Sequence, residues 1–177
     1  MNKKPKLFSF SRESEVKHVN ALVVEPEKRE MLYKIIDSFI EIIETEKLTI
    51  KTLEPFIKGL KTNDKYVWDV AGSRLVKLSH YYDEASKVLK ELANDKSANI
   101  RYRVIANLEG HPPLSLAKEL LQEGLRDKSK KVRAKTADVI FLLKITELQD
   151  SLKIQLANEK DNDVKNSIQF ALKEITN

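Results

Sequence analysis

Cysteine is absent from the 177 residues of this chain. The absence excludes disulfides, thiolate metal ligands and cysteine nucleophiles, and it is typical of a reducing compartment such as the cytosol. Glycine and proline are scarce, with four and five residues, so few positions interrupt regular structure. No apolar run approaches the ~20 residues of a membrane span. No apolar segment of signal-peptide length follows Lys3, Lys4 and Lys6. We therefore expect a cytoplasmic protein that does not enter the membrane.

Charged residues are abundant instead. They make up 33% of the chain, beside 41% apolar residues, and Lys, Glu, Leu and Ile are common. This composition favours long amphipathic helices over a sheet protein. The 32 basic residues exceed the 27 acidic ones by a formal net charge of +5. An excess of that size is too modest to indicate a nucleic-acid partner by itself.

One stretch of the chain recurs at a fixed period. Leu89 to Val104, LKELANDKSANIRYRV, is followed 32 residues later by LQEGLRDKSKKVRAKT and after 32 more by KIQLANEKDNDVKNSI. The acid of the turn falls at Asp95, Asp127 and Glu159. An apolar-basic pair follows it at 100–101, 132–133 and 164–165. A period of this length indicates stacked supersecondary units, each burying a face that it could not bury alone.

The recurring positions of each repeat, most of them apolar, predict two helices. Those of the first helices are Phe56, Ile57 and Leu60, then Val88, Leu89 and Leu92, then Leu120, Leu121 and Gly124, then Leu152, Lys153 and Leu156. Those of the second helices are Val67, Ala71 and Leu75, then Ile100, Val104 and Leu108, then Val132, Thr136 and Ile140, then Val164, Ile168 and Leu172. Helix-start signals separate the units, among them a capping box predicted at Thr146-Glu-Leu-Gln149.

These features resemble HEAT and HEAT-like repeats over residues 49–176. The resemblance rests on the helix pairs, the Asp of the inner turn, and the Ile-Arg or Val-Arg pair that opens the second helix. The sequence departs from the pattern at Glu159, at Lys165, and at Trp68, which occupies the Arg position of the first unit. The resemblance implies an all-α fold, a right-handed α-solenoid of about four HEAT-like helix pairs, whose second helices line a concave face. Such families mostly bind proteins, sometimes nucleic acids, and occasionally carry an active site.

The resulting domain plan has two parts. Residues 1–26 lack a helical period and are expected to form an extended, partly ordered N-terminal arm. Residues 27–177 are expected to form a single solenoid domain, with a capping helix over 27–46. Its repeats are predicted at about 49–79, 82–108, 113–144 and 147–176.

The inner turn leaves two interpretations open. Asp95 and Asp127 could accept hydrogen bonds from free amides at the start of the next helix. Each could instead pair with the Arg six residues on. Repeated in every unit, these side chains would form a ladder along the stack.

The second helices also predict a binding strip. If Ile100, Val104 and Leu108 point inward, helical geometry places the intervening residues outward. The predicted concave-face binding residues are Tyr66, Asp69, Lys77, Tyr102, Arg103, Lys131, Lys135, Asp138 and Phe170. Tyr and Arg dominate binding hot spots, so Tyr102 and Arg103 are the first candidates. The alternative is an ordinary solvated helix face.

Two segments suggest nucleic acid. Arg126 to Lys135 carries six cations and one acid, and could hold a phosphate backbone or form a structural turn with a solvated face. YVWDVAGSRLV around Trp68 is similar to the Trp-Asp segment of HEAT-like DNA glycosylases that excise alkylated bases. The catalytic Asp of that family would fall at Gly72, and a core role for Trp68 is the alternative.

Signals for catalysis or metal binding are lacking. No His-Glu dyad recurs from unit to unit, as the HEAT-like hydroxylases that hold two irons require, and no Gly-rich phosphate loop or nucleophile elbow occurs. We therefore expect no catalytic residues, no metal and no cofactor. The function predicted from sequence is non-enzymatic binding of a protein partner through the concave face, as in an adaptor, inhibitor or immunity-type protein. The alternative is a DNA-binding or base-excising protein.

Overall fold

The structure is a computed structural model that describes residues 11–176. Regular structure in this part of the chain is helical, and it contains no strand. The helices are α1 (Arg12–Leu22), α2 (Pro26–Thr45), α3 (Ile50–Lys61), α4 (Lys65–Leu78), α5 (Asp83–Ala93), α6 (Ala98–Asn107), α7 (Leu114–Gly124), α8 (Lys130–Leu142), α9 (Gln149–Asn158) and α10 (Asn162–Thr176). Two short 3-10 helices, Leu108–Gly110 and Thr146–Leu148, adjoin α6 and α9. The predicted all-α class is confirmed.

The described residues divide into two compact units between Arg74 and Leu75, within α4. The first unit holds α1, α2, α3 and most of α4, and the second holds α5 to α10. Each predicted repeat contains one pair of successive helices. The assignment of residues 27–177 to a single domain stays a prediction.

The core of the first unit is built from α2 and α3. The buried residues of α2 recur at helical spacing and include Ile35, Ile36 and Phe39, as the sequence predicts for this amphipathic helix. The Phe39 ring meets the edge of the Phe56 ring of α3 at a centroid distance of 6.5 Å. Helix α3 starts with a capping box, in which the Thr49 side chain accepts from the Thr52 amide and the Thr52 side chain accepts from the Thr49 amide. The ring contact joins α3 to α2, and the capping box fixes where α3 begins.

The extended conformation expected for the N-terminal arm is wrong over Arg12–Leu22, which form α1. The Ser11 side chain caps this helix by accepting from the amide of Ser14. Only Val19 of α1 is buried, and the helix carries few apolar residues from which a helical period could be recognised in the sequence. The remainder of the arm, residues 1–10, lies outside the described residues.

The second unit consists of three successive helix pairs, α5–α6, α7–α8 and α9–α10. Within each pair the two helices pack against each other, and α8 also packs between the second helices α6 and α10. The predicted inward positions of α8 and the first two of α10 are buried, while Ile100, Leu156 and Leu172 are only half-buried. Within this unit the sequence period therefore corresponds to a stack of helix pairs.

Gly124 allows the close approach of α7 to α8. A Cβ at this position would lie 2.5 Å from Thr136 Oγ1 and 3.2 Å from Ile105 Cδ1. Thr136 is fully buried, and its hydroxyl donates to the carbonyl of Val132 at 2.8 Å. A glycine is therefore required here because of the space between the helices.

An arginine-acid ladder joins the inner turns of the second unit. Arg101 donates two hydrogen bonds to the Asp127 carboxylate at 2.6 and 2.7 Å, and Arg133 donates two to Glu159 at 2.7 and 2.8 Å. Both pairs span 26 residues, so each arginine reaches the acid of the following unit. The predicted ladder is confirmed, whereas the pairing of Arg101 with the Asp95 carboxylate six residues earlier is wrong.

Backbone groups take the place of that local pair. Arg101 donates to the Asp95 carbonyl at 2.8 Å, and the Asp95 carboxylate accepts from the Ser97 amide at 2.8 Å. The first interpretation of the turn, in which the acid accepts from an amide at the start of the next helix, is thus confirmed at Asp95, where the amide is that of the N-cap residue Ser97. Asp127 repeats it by accepting from the Ser129 amide at 2.7 Å.

The capping box predicted at Thr146 to Gln149 is wrong. Residues Thr146–Leu148 form a 3-10 helix, and α9 begins at Gln149 after Leu148, which contributes no side-chain cap. Leu148, directly before α9, is buried, with 4% of its surface exposed.

Candidate functional site

The candidate site is a strip of side chains on α6, α8 and α10 in the second unit, here called the second-helix face. It comprises Tyr102, Lys131, Lys135, Asp138, Phe141 and Phe170. These residues are exposed or half-buried. They lie outside the positions that form the core of the helix stack, such as Val104, Val132 and Val164. Whether this face is concave stays a prediction.

Tyr102 and Lys131 interact across neighbouring helices. The Lys131 ammonium lies 5.8 Å from the centroid of the Tyr102 ring and also donates to the side-chain oxygen of Asn99. A cation over an aromatic face is attracted by the ring quadrupole. The exposed lysine is therefore held by two neutral groups, both of which belong to α6.

The centre of the face is polar. Lys135 pairs with Glu109, which follows α6, and only 20% of the Lys135 side chain is exposed. Burial raises the pKa of Asp138 above its ordinary value, although the charge of Lys135 and a hydrogen bond with Ser167 act in the opposite direction. Asp138 thereby connects α8 to α10 through Ser167. These contacts restrict the rotamers of the polar groups before any partner binds.

Phe141 and Phe170 form the aromatic part of the face. Their rings meet edge to face at a centroid distance of 5.0 Å, and Phe170 keeps 51% of its surface exposed. Edge-to-face pairs of this kind are favourable beyond the area that they bury. Aromatic side chains, phenylalanine among them, are enriched in the buried centres of protein interfaces.

Arg103 does not belong to this face, and the expectation that it is exposed is wrong. Only 7% of its surface is accessible, and burial lowers its pKa. Helix α6 is buried over a wider sector than one row of apolar residues implies, because α5 and α8 both pack against it. Arg101, Arg103 and Asn107 are buried beside the apolar residues, whereas Ile100 is only half-buried.

The remaining predicted residues lie on α4. Tyr66 and Asp69 belong to the first unit, where Tyr66 is half-buried and Asp69 is exposed. Burial raises the pKa of Tyr66. Lys77 lies just inside the second unit and is exposed.

Trp68 is a core residue, with 9% of its surface accessible. A tryptophan that stacks on an extruded base must present an open ring face, which burial prevents. Gly72, where the glycosylase pattern requires an aspartate, is also buried. The similarity to the glycosylase segment therefore does not extend to an accessible base-binding group at these two positions.

Most cations of the basic segment Arg126 to Lys135 have partners. Lys130 pairs with Asp161 at 3.0 Å, and Arg133 pairs with Glu159 in the ladder. Lys131 and Lys135 are held on the second-helix face, as described above. The structure thus favours the interpretation of this segment as a structural turn with a solvated face.

No group of three or more His, Cys, Asp or Glu side chains that could hold a metal occurs among the described residues. His80 and His111 meet through the His80 Nε2 atom and the His111 carbonyl, 2.8 Å apart. This contact uses a backbone group, so it links two loops and does not create a pair of metal ligands. No helix in the described part of the chain is long and apolar enough to cross a membrane.

Sequence reasoning missed one residue of the face, Phe141, and also Asn99, which contacts Lys131 beside it. Asn99 lies 32 residues before Lys131, so the repeat register could have placed the two on adjacent helices. Phe141 and Phe170 are 29 residues apart and match no register position. Their contact depends on how α8 and α10 pack, which the period alone does not specify.

Comparisons with known proteins show resemblance in structure only. No protein-family model and no curated protein matches the chain. One similar solved structure is that of an engineered protein, which is 20% identical to this chain. The match spans 93% of this chain and 79% of the engineered protein, with a TM-score of 0.45. Another is a designed armadillo repeat protein in complex with the peptide (KR)4, 17% identical, covering 90% of this chain and 80% of its own with a TM-score of 0.45. A further designed armadillo repeat protein is 17% identical and covers 92% of this chain and 82% of its own with a TM-score of 0.42.

Proposed function

We propose that the chain is a cytoplasmic, non-enzymatic scaffold built from HEAT-like repeats, and that it binds a protein partner through the second-helix face. The observation that carries this proposal is the pair Phe141 and Phe170, a rigid aromatic cluster of which Phe170 remains half exposed. A large aromatic side chain that the core does not require is a typical anchor for a partner.

Preorganisation supports the same proposal. The lysines and the acid of the face are held by contacts between neighbouring second helices, among them Lys131 with Tyr102 and Lys135 with Glu109. Groups that are already ordered lose little conformational entropy when a partner binds. The packed helix pairs hold these side chains in place, and binding of this kind requires no catalytic site.

The test is affinity capture from cytosolic extract of the source organism, with three versions of the chain as bait. The bait variant Phe170→Ala removes the exposed ring, and Leu114→Ala removes a comparably exposed side chain, at 51% and 53%, from the first helix α7. We expect the unchanged chain and Leu114→Ala to retain the same protein. Phe170→Ala should weaken its binding by about 30-fold, the loss of a hot spot worth roughly 2 kcal/mol.

Equal retention by Phe170→Ala and Leu114→Ala would contradict the assignment of the face. Circular dichroism of both variants provides the control for folding. We expect both variants to stay folded, with a loss of unfolding free energy of about 1 to 2 kcal/mol for Phe170→Ala, which also loses the ring contact with Phe141.

A further inference from the structure

Helix α1 is attached to the first unit with little apolar burial. Of its 11 residues only Val19 is buried, at 3% exposure, and Val23 directly after the helix is buried at 6%. Leu22, the last residue of the helix, is 59% exposed. A helix of this length is not stable in isolation. Its presence therefore depends on its contacts with the neighbouring helices.

Polar contacts with α2 form most of this attachment in the described residues. Arg12 donates to both oxygens of Asp37, at 2.6 and 3.2 Å, and both side chains are about half exposed. The Tyr33 hydroxyl donates to the side chain of Asn20. Exposed ion pairs of this kind contribute little to stability and are weakened by salt.

A less exposed ion pair attaches α1 to α4. The Glu15 carboxylate lies 2.5 Å from an Arg74 guanidinium nitrogen, and only 11% of the Arg74 side chain is exposed. The guanidinium carbon is 5.7 Å from the centroid of the Phe39 ring. Tyr66, a predicted binding residue, is half-buried and lies eight residues before Arg74 on α4, two helical turns away on the same side of the helix. The charges of Arg74 and Glu15 both act on its pKa.

We propose that α1 is a detachable latch, which opens while α2 and α3 stay folded and which controls access to Tyr66 and Arg74. The Glu15–Arg74 pair is the contact that keeps the latch closed. Local openings of this kind occur where few apolar contacts must break. If Tyr66 also contacts a partner, which rests on the proposed function, the latch also regulates that contact.

The chain offers a matched pair of variants for the test. Glu15→Gln removes the carboxylate that faces Arg74. Glu13→Gln removes the same charge from the same turn of α1, where Glu13 is exposed. Hydrogen exchange of the full chain, read by mass spectrometry, reports on α1 and α2 separately.

We expect the amides of α1 to exchange about tenfold faster in Glu15→Gln than in the unchanged chain, as the loss of one partly buried ion pair implies. Glu13→Gln should leave them unaltered, and the amides of α2 should keep their protection in all three proteins. In the unchanged chain, raising the salt concentration to about 1 M should speed exchange in α1 alone.

Nitration of tyrosines provides an independent readout of what the latch covers. Tyr66 should react faster in Glu15→Gln than in Glu13→Gln, while Tyr102 in the second unit should react equally in both. The proposal is overturned if α1 and α2 lose protection together, if the two variants behave alike, or if salt leaves α1 unchanged. None of these measurements involves a binding partner, so they stand apart from the test of the proposed function.

Discussion

Glu159 is a nearly buried carboxylate whose ionisation depends on the ladder. Its side chain is 2% exposed, and hydrogen bonds from Arg133, from Gln155 and from two backbone amides hold it in place. The hydrogen bonds with Arg133 are the main cause that lowers its pKa from 4.5 to about 2. The ionised form is therefore strongly favoured in the folded chain.

This ionisation predicts a pH-dependent contribution to stability. A carboxylate with a lowered pKa in the folded state stabilises the fold above the pKa of the unfolded chain, 4.5, and loses that effect as the pH falls to about 2. Glu159→Gln should thus cost about 3 kcal/mol of unfolding free energy at pH 7. The difference from the unchanged chain should shrink steadily below pH 4.5 and vanish near pH 2.

Denaturant unfolding at several pH values measures this difference. Glu123→Gln is the control, because this substitution removes the same charge at an exposed position of α7. A cost for Glu159→Gln that is constant from pH 7 to pH 2 would show that the carboxylate charge is not what stabilises the turn.

Arg103 shows why the sequence could not assign exposure residue by residue. One apolar row, Val104 and Leu108, correctly predicts which side of α6 points to the core. It does not reveal how wide the buried sector is, because that depends on the neighbours on both flanks. Tyr102 stays half-buried on the face while the next residue is covered. Long basic side chains can be buried along their aliphatic stems, so their sequence signal is ambiguous.

At the scale of the elements, the repeat period predicted the helix pairs but not all contacts between them. The 26-residue reach from Arg101 to Asp127 is implicit in the period, since it equals one repeat less the six residues from acid to arginine. Helix α1 was missed because its apolar residues are too few to show a period. The predicted start of α9 is wrong because Thr146–Leu148 form a 3-10 helix before it, which the capping signal does not reveal.

The packing of α7 against α8 predicts the effect of a single methyl group. Gly124→Ala should destabilise the fold by about 1 to 2 kcal/mol, because the overlap with Thr136 costs more than the roughly 1 kcal/mol that alanine contributes to helix propensity. Thermal and denaturant unfolding measure this change. Gly110→Ala is the control, since its Cβ would approach nothing closer than 3.4 Å.

A double substitution distinguishes steric overlap from other causes. Combining Gly124→Ala with Thr136→Ala should cost less than the sum of the two single changes, because the smaller side chain removes the 2.5 Å contact. Strict additivity would mean that the glycine is required for a reason other than space.

For the molecule as a whole, the net charge of +5 raises the question of nucleic acid. Several cations of the densest basic segment are paired with acids of the following inner turn, as Lys130 with Asp161 and Arg133 with Glu159 show. We therefore expect no measurable binding to duplex DNA even at low salt, where release of counterions favours it most. Fluorescence anisotropy over a salt series is the measurement. Affinity that falls steeply with salt would favour the nucleic-acid alternative instead.

The proposed function requires that a protein partner covers the second-helix face. Side-chain footprinting of the captured complex by hydroxyl radicals tests this coverage, because both types of helix carry exposed reporters. Phe170 reports on the face, while Leu114 and Ile154 report on the first helices, and their exposures are 51%, 53% and 58%. We predict that the partner protects Tyr102, Phe141 and Phe170 and leaves Leu114 and Ile154 as reactive as in the free chain. Protection of Leu114 and Ile154 with Phe170 left reactive would contradict the account.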